Sequence, residues 1–421
     1  MDEAVRLREP NRKQVILHPT DLDALIGAEH PARAIWRVLE GLDLSRFYQP
    51  IKAREGSAGR DASDPRMLLA LWLYALSEGI NSAREVERQC EAHAAYRWIC
   101  GGVRVNYHTL SDFRSGHGAA LDELFTQVVG MLMAQHLITL WRVAQDGTRV
   151  RASAGAASFR RKARLKACLR TARRHLEQLA REAKDDPTQC SGRQQAAEVR
   201  AAREYQQRVA QALKQVQQLE AHKASAKNHP QRATATRASS TDPEARVMKM
   251  ADGGFRPAYN VQLATETESR IIVGVTVSNV GSDSRQLEPM LDEIERRTGA
   301  LPAQHLADGG YMNFATVENA SARGVEVFCP PRENRTYHID PLTPQPDDSP
   351  AIAAYRQRMG SEAGKEIYRQ RAATAETVNA DLKTWRGLER LLVRGSAKVL
   401  MAATWSALTY NLLRAIRMGW L

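Results

Sequence analysis

Trp141-Arg-Val-Ala-Gln-Asp146-Gly-Thr148 is the stretch on which the fold turns. Before it, from Ala34 to about Leu140, apolar residues recur at helical spacing; within it the pattern becomes a short strand that ends on an acidic residue and a glycine turn. Upstream, Asp64 then Pro65 is an N-cap followed by a first-turn proline, opening an apolar run over residues 67–76. Ser82-Ala-Arg-Glu85 is a capping-box pattern that starts the next helix after a break over residues 79–81. A third helix is expected near Thr109 and a fourth over residues 121–138. The helix around Thr109-Leu-Ser-Asp-Phe-Arg114 suits either DNA or packing, since no helix-turn-helix signature decides between them.

Downstream, strand signals vanish for about a hundred residues. Leu165, Leu169, Ala172, Leu176, Leu179 and Ala183 recur at spacings of four and three, and after Pro187 and Gly192 the spacing returns in Tyr205, Val209, Ala212, Val216 and Leu219. Two such seams predict an antiparallel helical hairpin, with a mobile exit from Ala221 to about Pro243. Strands are expected again over residues 259–264 and 271–277, joined as a hairpin around residues 266–270, with a helix from about Asp283 to Thr298. His305-Leu-Ala-Asp308-Gly-Gly-Tyr311 then repeats the opening arrangement, a short strand with an aspartate at its end and glycines after it. A helix over 314–323, a strand over 325–329, a proline-rich loop over 330–350, a long helix over 361–386 and a mostly helical end over 388–418 complete the chain. Without the hairpin, this order of elements gives a mixed sheet covered by helices.

The chain has 421 residues, of which 43% are hydrophobic, so two or three domains are expected and wholesale disorder is excluded. Its formal net charge is +12, and this charge is local: residues 160–240 hold 19 Lys or Arg against 7 Asp or Glu, while the remainder holds 41 of each sign. Such a block suits a polyanion, most simply nucleic acid, or else is a solvated helical face. The charged N-terminus has no apolar signal region. The apolar stretches over 124–141 and 399–413 carry Gln127, Gln135, His136 and Asn411, and are expected as buried helices, not membrane spans. Five cysteines without a C-x-x-C pair argue against a disulfide framework or zinc ribbon. No G-x-x-x-x-G-K-[ST] loop is present for ATP. A soluble protein of the cytoplasm is expected.

Asp146 and Asp308 both close short apolar strands and precede glycine. Two carboxylates meeting at one sheet edge repel each other unless a proton or cation intervenes, and hard Mg²⁺ prefers such oxygens. Two ions roughly 3.5–4 Å apart can clamp the attacking and leaving oxygens of a phosphodiester displacement. Chance also produces pairs of Asp-Gly turns. A third carboxylate comes from Tyr368-Arg-Gln-Arg371-Ala-Ala-Thr-Ala-Glu376-Thr-Val-Asn-Ala-Asp-Leu-Lys383. At about 100° per residue, Glu376 and Lys383 lie on one helix face, with Tyr368 and Arg371 on flanking faces. Glu362 and Glu366 are alternatives for the third acid, and an exposed helix of mixed charge is the plainer explanation of the segment.

These residues resemble the DDE transposases of bacterial insertion sequences, in the branch with an InsH-like N-terminal domain. Asp146-Gly-Thr-Arg-Val-Arg-Ala is similar to that family's first-aspartate motif, and Asp308-Gly-Gly-Tyr311 to its second. Tyr368, Arg371, Glu376 and Lys383 resemble its Tyr-x2-Arg-xn-Glu-x6-Lys signature, with four residues between Arg371 and Glu376 where three are usual. The stretches over 250–262 and 59–113 resemble the same branch. The resemblance implies an α+β fold: a helical N-terminal DNA-binding or dimerisation domain (1–139), an RNase-H-like mixed-sheet catalytic domain (140–159 and 249–421), and a basic helical insertion (160–248) between its first and second strands. It implies Asp146, Asp308 and Glu376 as a catalytic, metal-binding triad for two Mg²⁺, with Mn²⁺ able to substitute. Lys383, Arg371 and Tyr368 would then meet DNA near the scissile bond, and Arg160, Arg161, Lys162 and Arg164 would grip its backbone. The implied partners are double-stranded DNA, as terminal inverted repeats and target, and further copies of the chain on DNA in the bacterial nucleoid. The implied activity is cleavage at the element ends and strand transfer. The rival expectations are a nuclease of the same fold that cuts without joining, and a non-catalytic DNA-binding descendant.

Overall fold

Proline and its preceding cap set the first helices. The computed structural model of the chain describes residues 21–53, 61–185, 192–224, 236–331 and 340–420. Helix α1 (Pro31–Glu40) starts on His30, whose ring accepts from the Ala32 N–H. The short α2 (Ser45–Tyr48) follows, and then α3 (Pro65–Ser77), where Asp64 Oδ1 accepts from the Arg66 N–H at 2.9 Å. Helix α3 is apolar on every side and buries all of residues 67–76, as expected of a helix packed all round. Helix α4 (Ala83–Ala92) begins where expected, but its capping box does not form: Ser82 makes no capping bond and Glu85 turns to Arg88 and Gln89 instead. Helix α5 (Ala94–Cys100) was not foreseen; His93 caps it. Helix α6 (Tyr107–Gly116), the one left between DNA and packing, turns Leu110 and Phe113 into the core. Helix α7 (Gly118–Ala134) stops short of Ile138 because His136 takes a left-handed φ of 57°.

Strand β1 (Arg142–Arg151) is longer than expected, and this corrects the placement of Asp146. The aspartate lies in mid-strand with no turn after it, because β1 pairs antiparallel with the long β5 as far as Arg151↔Ala258. Asp146 is nonetheless two residues beyond Ala144, the last β1 residue paired in parallel with β7. After β2 (Phe159–Arg160), helices α8 (Lys162–Asp185) and α9 (Gly192–Ala224) form the basic hairpin, packed through Leu165, Ala172, Leu179, Val209, Ala212 and Val216. Strand β3 (Ala238–Ser239) returns to β2 and closes the insertion. The exit expected to be mobile therefore ends in a bound strand, with Thr236, Ser239 and Asp242 buried; Pro187 and residues 225–235 lie outside the described residues.

The remaining strands are β4 (Arg246–Lys249), β5 (Phe255–Glu266), β6 (Ile272–Ser278), β7 (Gln304–Leu306) and β8 (Glu326–Phe328). The central order is β6-β5-β1-β7-β8, with β4 also paired to β5. Strands β4, β5, β6 and β1 run antiparallel to their neighbours, whereas β1, β7 and β8 are parallel. This is the mixed RNase-H-like sheet expected, with the hairpin inserted between its first and second central strands. Helices α10 (Leu287–Thr298) and α11 (Phe314–Ala322) connect β6 to β7 and β7 to β8. Then come α12 (Pro350–Gly360), α13 (Glu362–Arg371), a five-residue π-helical turn (Ala372–Glu376) and α14 (Thr377–Trp385). Helix α12 begins on Pro350, the last residue of the expected loop, and fills residues 351–360, for which no element was expected. The last helix, α15 (Ser396–Arg417), packs against α3, α7 and β6, so one apolar core joins the N-terminal helices to the sheet. No helix among the described residues is long and apolar enough to cross a membrane.

Candidate active site

Three elements carry the acidic residues. Asp146 comes from the middle of β1, Asp308 from the loop two residues after β7, and Glu376 from the last residue of the π turn. Both oxygens of Asp146 are held: the Gly147 N–H donates to Oδ1 at 2.9 Å and Asn379 Nδ2 donates to Oδ2 at 2.8 Å. The Gly310 N–H donates to Asp308 Oδ1 at 2.7 Å. Burial, and to a lesser degree the nearby Asp308, push the Asp146 carboxyl up to about 6, against the pull of Arg371 and its two hydrogen bonds.

Arg371 stands among these acids. Its Nη2 donates to Glu376 Oε1 at 3.0 Å and its Nη1 lies 4.0 Å from Asp146 Oδ1, while Asp308 is within electrostatic reach. Burial would lower the guanidinium's proton affinity, but Tyr368, Asp146 and Asp308 outweigh it and raise the net value. Tyr368 hydrogen-bonds Arg371 and lies near Asp308, and burial is the main reason its hydroxyl is shifted upward. Lys383 is half-buried and faces the field of Asp146; its ammonium is shifted downward because burial dominates.

The π turn answers the departure from the family pattern. A residue added to an α-helix is absorbed as a π turn, which leaves the flanking turns in register. The extra residue between Arg371 and Glu376 falls in Ala372–Glu376, and the two side chains still meet. Asn379, three residues after Glu376 on the same face, was missed; its contact is with a residue 233 positions earlier, which no local pattern shows.

Arg371 accordingly meets carboxylates here, not open surface. Of the proposed backbone contacts, Arg161 and Arg164 are exposed, Arg160 is half-buried, and Lys162 pairs with Glu220 at 2.8 Å across the hairpin. Glu362 and Glu366 are bound to Lys365 and Arg369 on their own helix, away from the aspartates' partners.

The donor set is all hard carboxylate oxygen, so the residues fit a divalent cation in kind. They are not closed into a cage: among the described residues no three His, Cys, Asp or Glu side chains gather at metal-holding distance. Glu376, whose side chain is 61% exposed, pairs with Arg371 at 3.0 Å.

The family described as Transposase DDE domain matches residues 217–412, which include Asp308 and Glu376 but begin after Asp146. The Transposase domain (DUF772) matches residues 20–116, the region of α1 to α6. No curated protein and no solved structure matches the chain. The two matched segments together cover more than two thirds of the sequence, in the order helical region then sheet, and the chain belongs to the DDE transposase family.

Proposed function

We propose that this transposase cleaves DNA at the ends of its insertion sequence and joins the freed 3′ ends to target DNA, with Asp146, Asp308 and Glu376 holding the divalent cations. The observation that carries the proposal is the position of Arg371, paired with Glu376 of the π turn at 3.0 Å and 4.0 Å from Asp146 of β1, with Asp308 of the β7 loop within electrostatic reach. Mg²⁺ held by these carboxylates supplies positive charge where negative charge develops on the phosphodiester oxygens. Gly147 and Asn379 fix the rotamer of Asp146, and Gly310 that of Asp308, before substrate arrives. Arg371 serves as counter-ion to Asp146 and Glu376 in the DNA-free protein and turns to a phosphate oxygen when a strand enters, which frees Glu376. Lys383 adds a second cation to the same strand, and Tyr368 holds Arg371. The helical N-terminal region (1–139) and the basic insertion (160–248) would grip duplex DNA around the catalytic parts (140–159 and 249–421), with two copies holding two ends.

The test is a cleavage assay on duplexes carrying the element's ends. Asp146→Asn, Asp308→Asn and Glu376→Gln are each expected to lower Mg²⁺-dependent cleavage by at least about a thousandfold while end binding holds and thermal stability is not lowered. Cleavage at wild-type rate by any one of them would remove that residue from the set; cleavage by all three would end the proposal.

A further inference from the structure

Directly behind the aspartates lies a buried chain of amides that no step above uses. His305 Nε2 meets Gln145 Oε1 at 2.9 Å, and Gln145 Nε2 donates to Gln262 Oε1 at 2.9 Å and to the Gln286 carbonyl at 3.0 Å. Gln262 Nε2 donates to Asp283 Oδ1 at 2.7 Å, beside Asn260 Nδ2 at 2.7 Å, and the Tyr311 hydroxyl donates to Gln262 Oε1. Gln145, Gln262 and His305 have no exposed surface, and Tyr311 is 1% exposed.

The direction of every bond is forced. An ionised Asp283 can only accept, so Gln262 must point its amino group there and its carbonyl at Gln145 and Tyr311. Gln145 must then donate to Gln262 and accept from His305, which fixes the imidazole proton on Nε2. Burying this much polarity is costly compared with apolar filling, so stability alone does not account for it.

Its placement does. Gln145 immediately precedes Asp146, while His305 and Tyr311 stand three residues before and three after Asp308. Gln262 lies on β5 opposite Gly147, and a Cβ on that glycine would come within 2.3 Å of Gln262 Nε2 and 2.5 Å of Asp283 Oδ1. Any side chain at Gly147 would therefore have to displace the amide that faces it.

We propose that Gln262 is the positioning residue of the site: it ties the Asp146 strand to the Asp308 loop and so sets the separation of the two carboxylates for a shared cation. This rests on the function proposed above, in which both aspartates hold metal. Outer partners of this kind typically tune metal affinity by about 10- to 100-fold.

The experiment measures Mn²⁺ binding to the full-length protein by electron paramagnetic resonance, alongside the thermal midpoint, in Tyr311→Phe, Gln262→Met and the double variant. Tyr311→Phe removes a single hydroxyl and is expected to weaken Mn²⁺ binding about tenfold with a midpoint within a few degrees of wild type. Because both groups act through one amide, the double variant is expected to bind no more weakly than Gln262→Met. Should Gln262→Met fail to fold, Tyr311→Phe decides alone. Mn²⁺ affinity within twofold of wild type in Tyr311→Phe overturns the positioning role and leaves the proposed function standing. A wild-type protein with no Mn²⁺ site removable by Asp146→Asn overturns both, and is distinguished by that control.

Discussion

Asp146 is the residue whose environment departs furthest from water among the three acids. Its carboxyl is raised to about 6 by burial, with Asp308 adding to the shift. An unfolded aspartate titrates near 3.9, so between about pH 4 and pH 6 the native state binds more protons than the unfolded one. The stability of the metal-free protein should therefore fall as pH rises through that window and level off above it. Two pKa units correspond to about 3 kcal/mol, so Asp146→Asn should stabilise the metal-free protein at pH 7 by up to about that amount and flatten the pH profile. Urea unfolding in EDTA at pH 4.5 and pH 7 checks this; a variant no more stable than wild type at pH 7 would contradict it. At this scale the sequence singles out the three acids of the proposed site, since aspartate before glycine and a carboxylate seven residues before a lysine are local patterns. It did not show Asn379, Gln262 or Asp283, because their partners lie far away along the chain: the Gln145–Gln262 bond alone spans 117 positions. Nor could it show that Asp146 sits within a strand, which depends on β5 continuing to pair beyond it.

At the scale of elements, the joined helix of α13, the π turn and α14 sets the geometry of the third acid. Its π turn keeps Arg371 and Glu376 paired across five positions. Deleting the exposed Ala373 should return this segment to α-helix, with Arg371 and Glu376 four apart and still on one face. Cleavage should then persist within about tenfold of wild type. One alanine inserted between Asp381 and Leu382 should instead rotate Lys383 by about 100° from Glu376 and abolish cleavage. Equal loss in both variants would contradict the reading of the π turn as an absorbed extra residue, and cleavage retained in both would show that the segment's register is irrelevant. The helix was legible from its composition, but the π turn was visible only as one residue too many. Helix α12 shows the opposite error: Ser349 and Pro350 form the same cap-and-proline start as Asp64 and Pro65, and Ser349 does accept from the Ile352 N–H, yet the density of prolines obscured it.

For the whole molecule, α15 is the connecting member. It packs on α3 and α7 on one side and on β6 on the other, and Asn411 pairs with both backbone groups of Ile272. The buried Arg297 ties α10 to Asp122 of α7 as well, at 2.7 Å. The N-terminal helices thus share a core with the sheet, which helical periodicity could not reveal because it reports a buried face without naming what covers it. The basic hairpin stands apart from this core with a small apolar seam of its own. Along α8, Arg164, Lys166, Arg170, Arg173 and Arg174 are exposed. Changing these five to glutamine should reduce the salt dependence of DNA affinity by about 0.9 in log–log slope for each phosphate that is no longer neutralised. An unchanged slope would make the hairpin a structural arm.

Under the proposed function, three acids, which the net charge merely subtracts, give this chain its strand-transfer activity. The most direct measurement incubates the protein with a labelled element end, a supercoiled target and Mg²⁺, and looks for label covalently joined to the target. Wild type should yield joined products and Asp146→Asn none; joined products from Asp146→Asn at the wild-type yield would contradict the account.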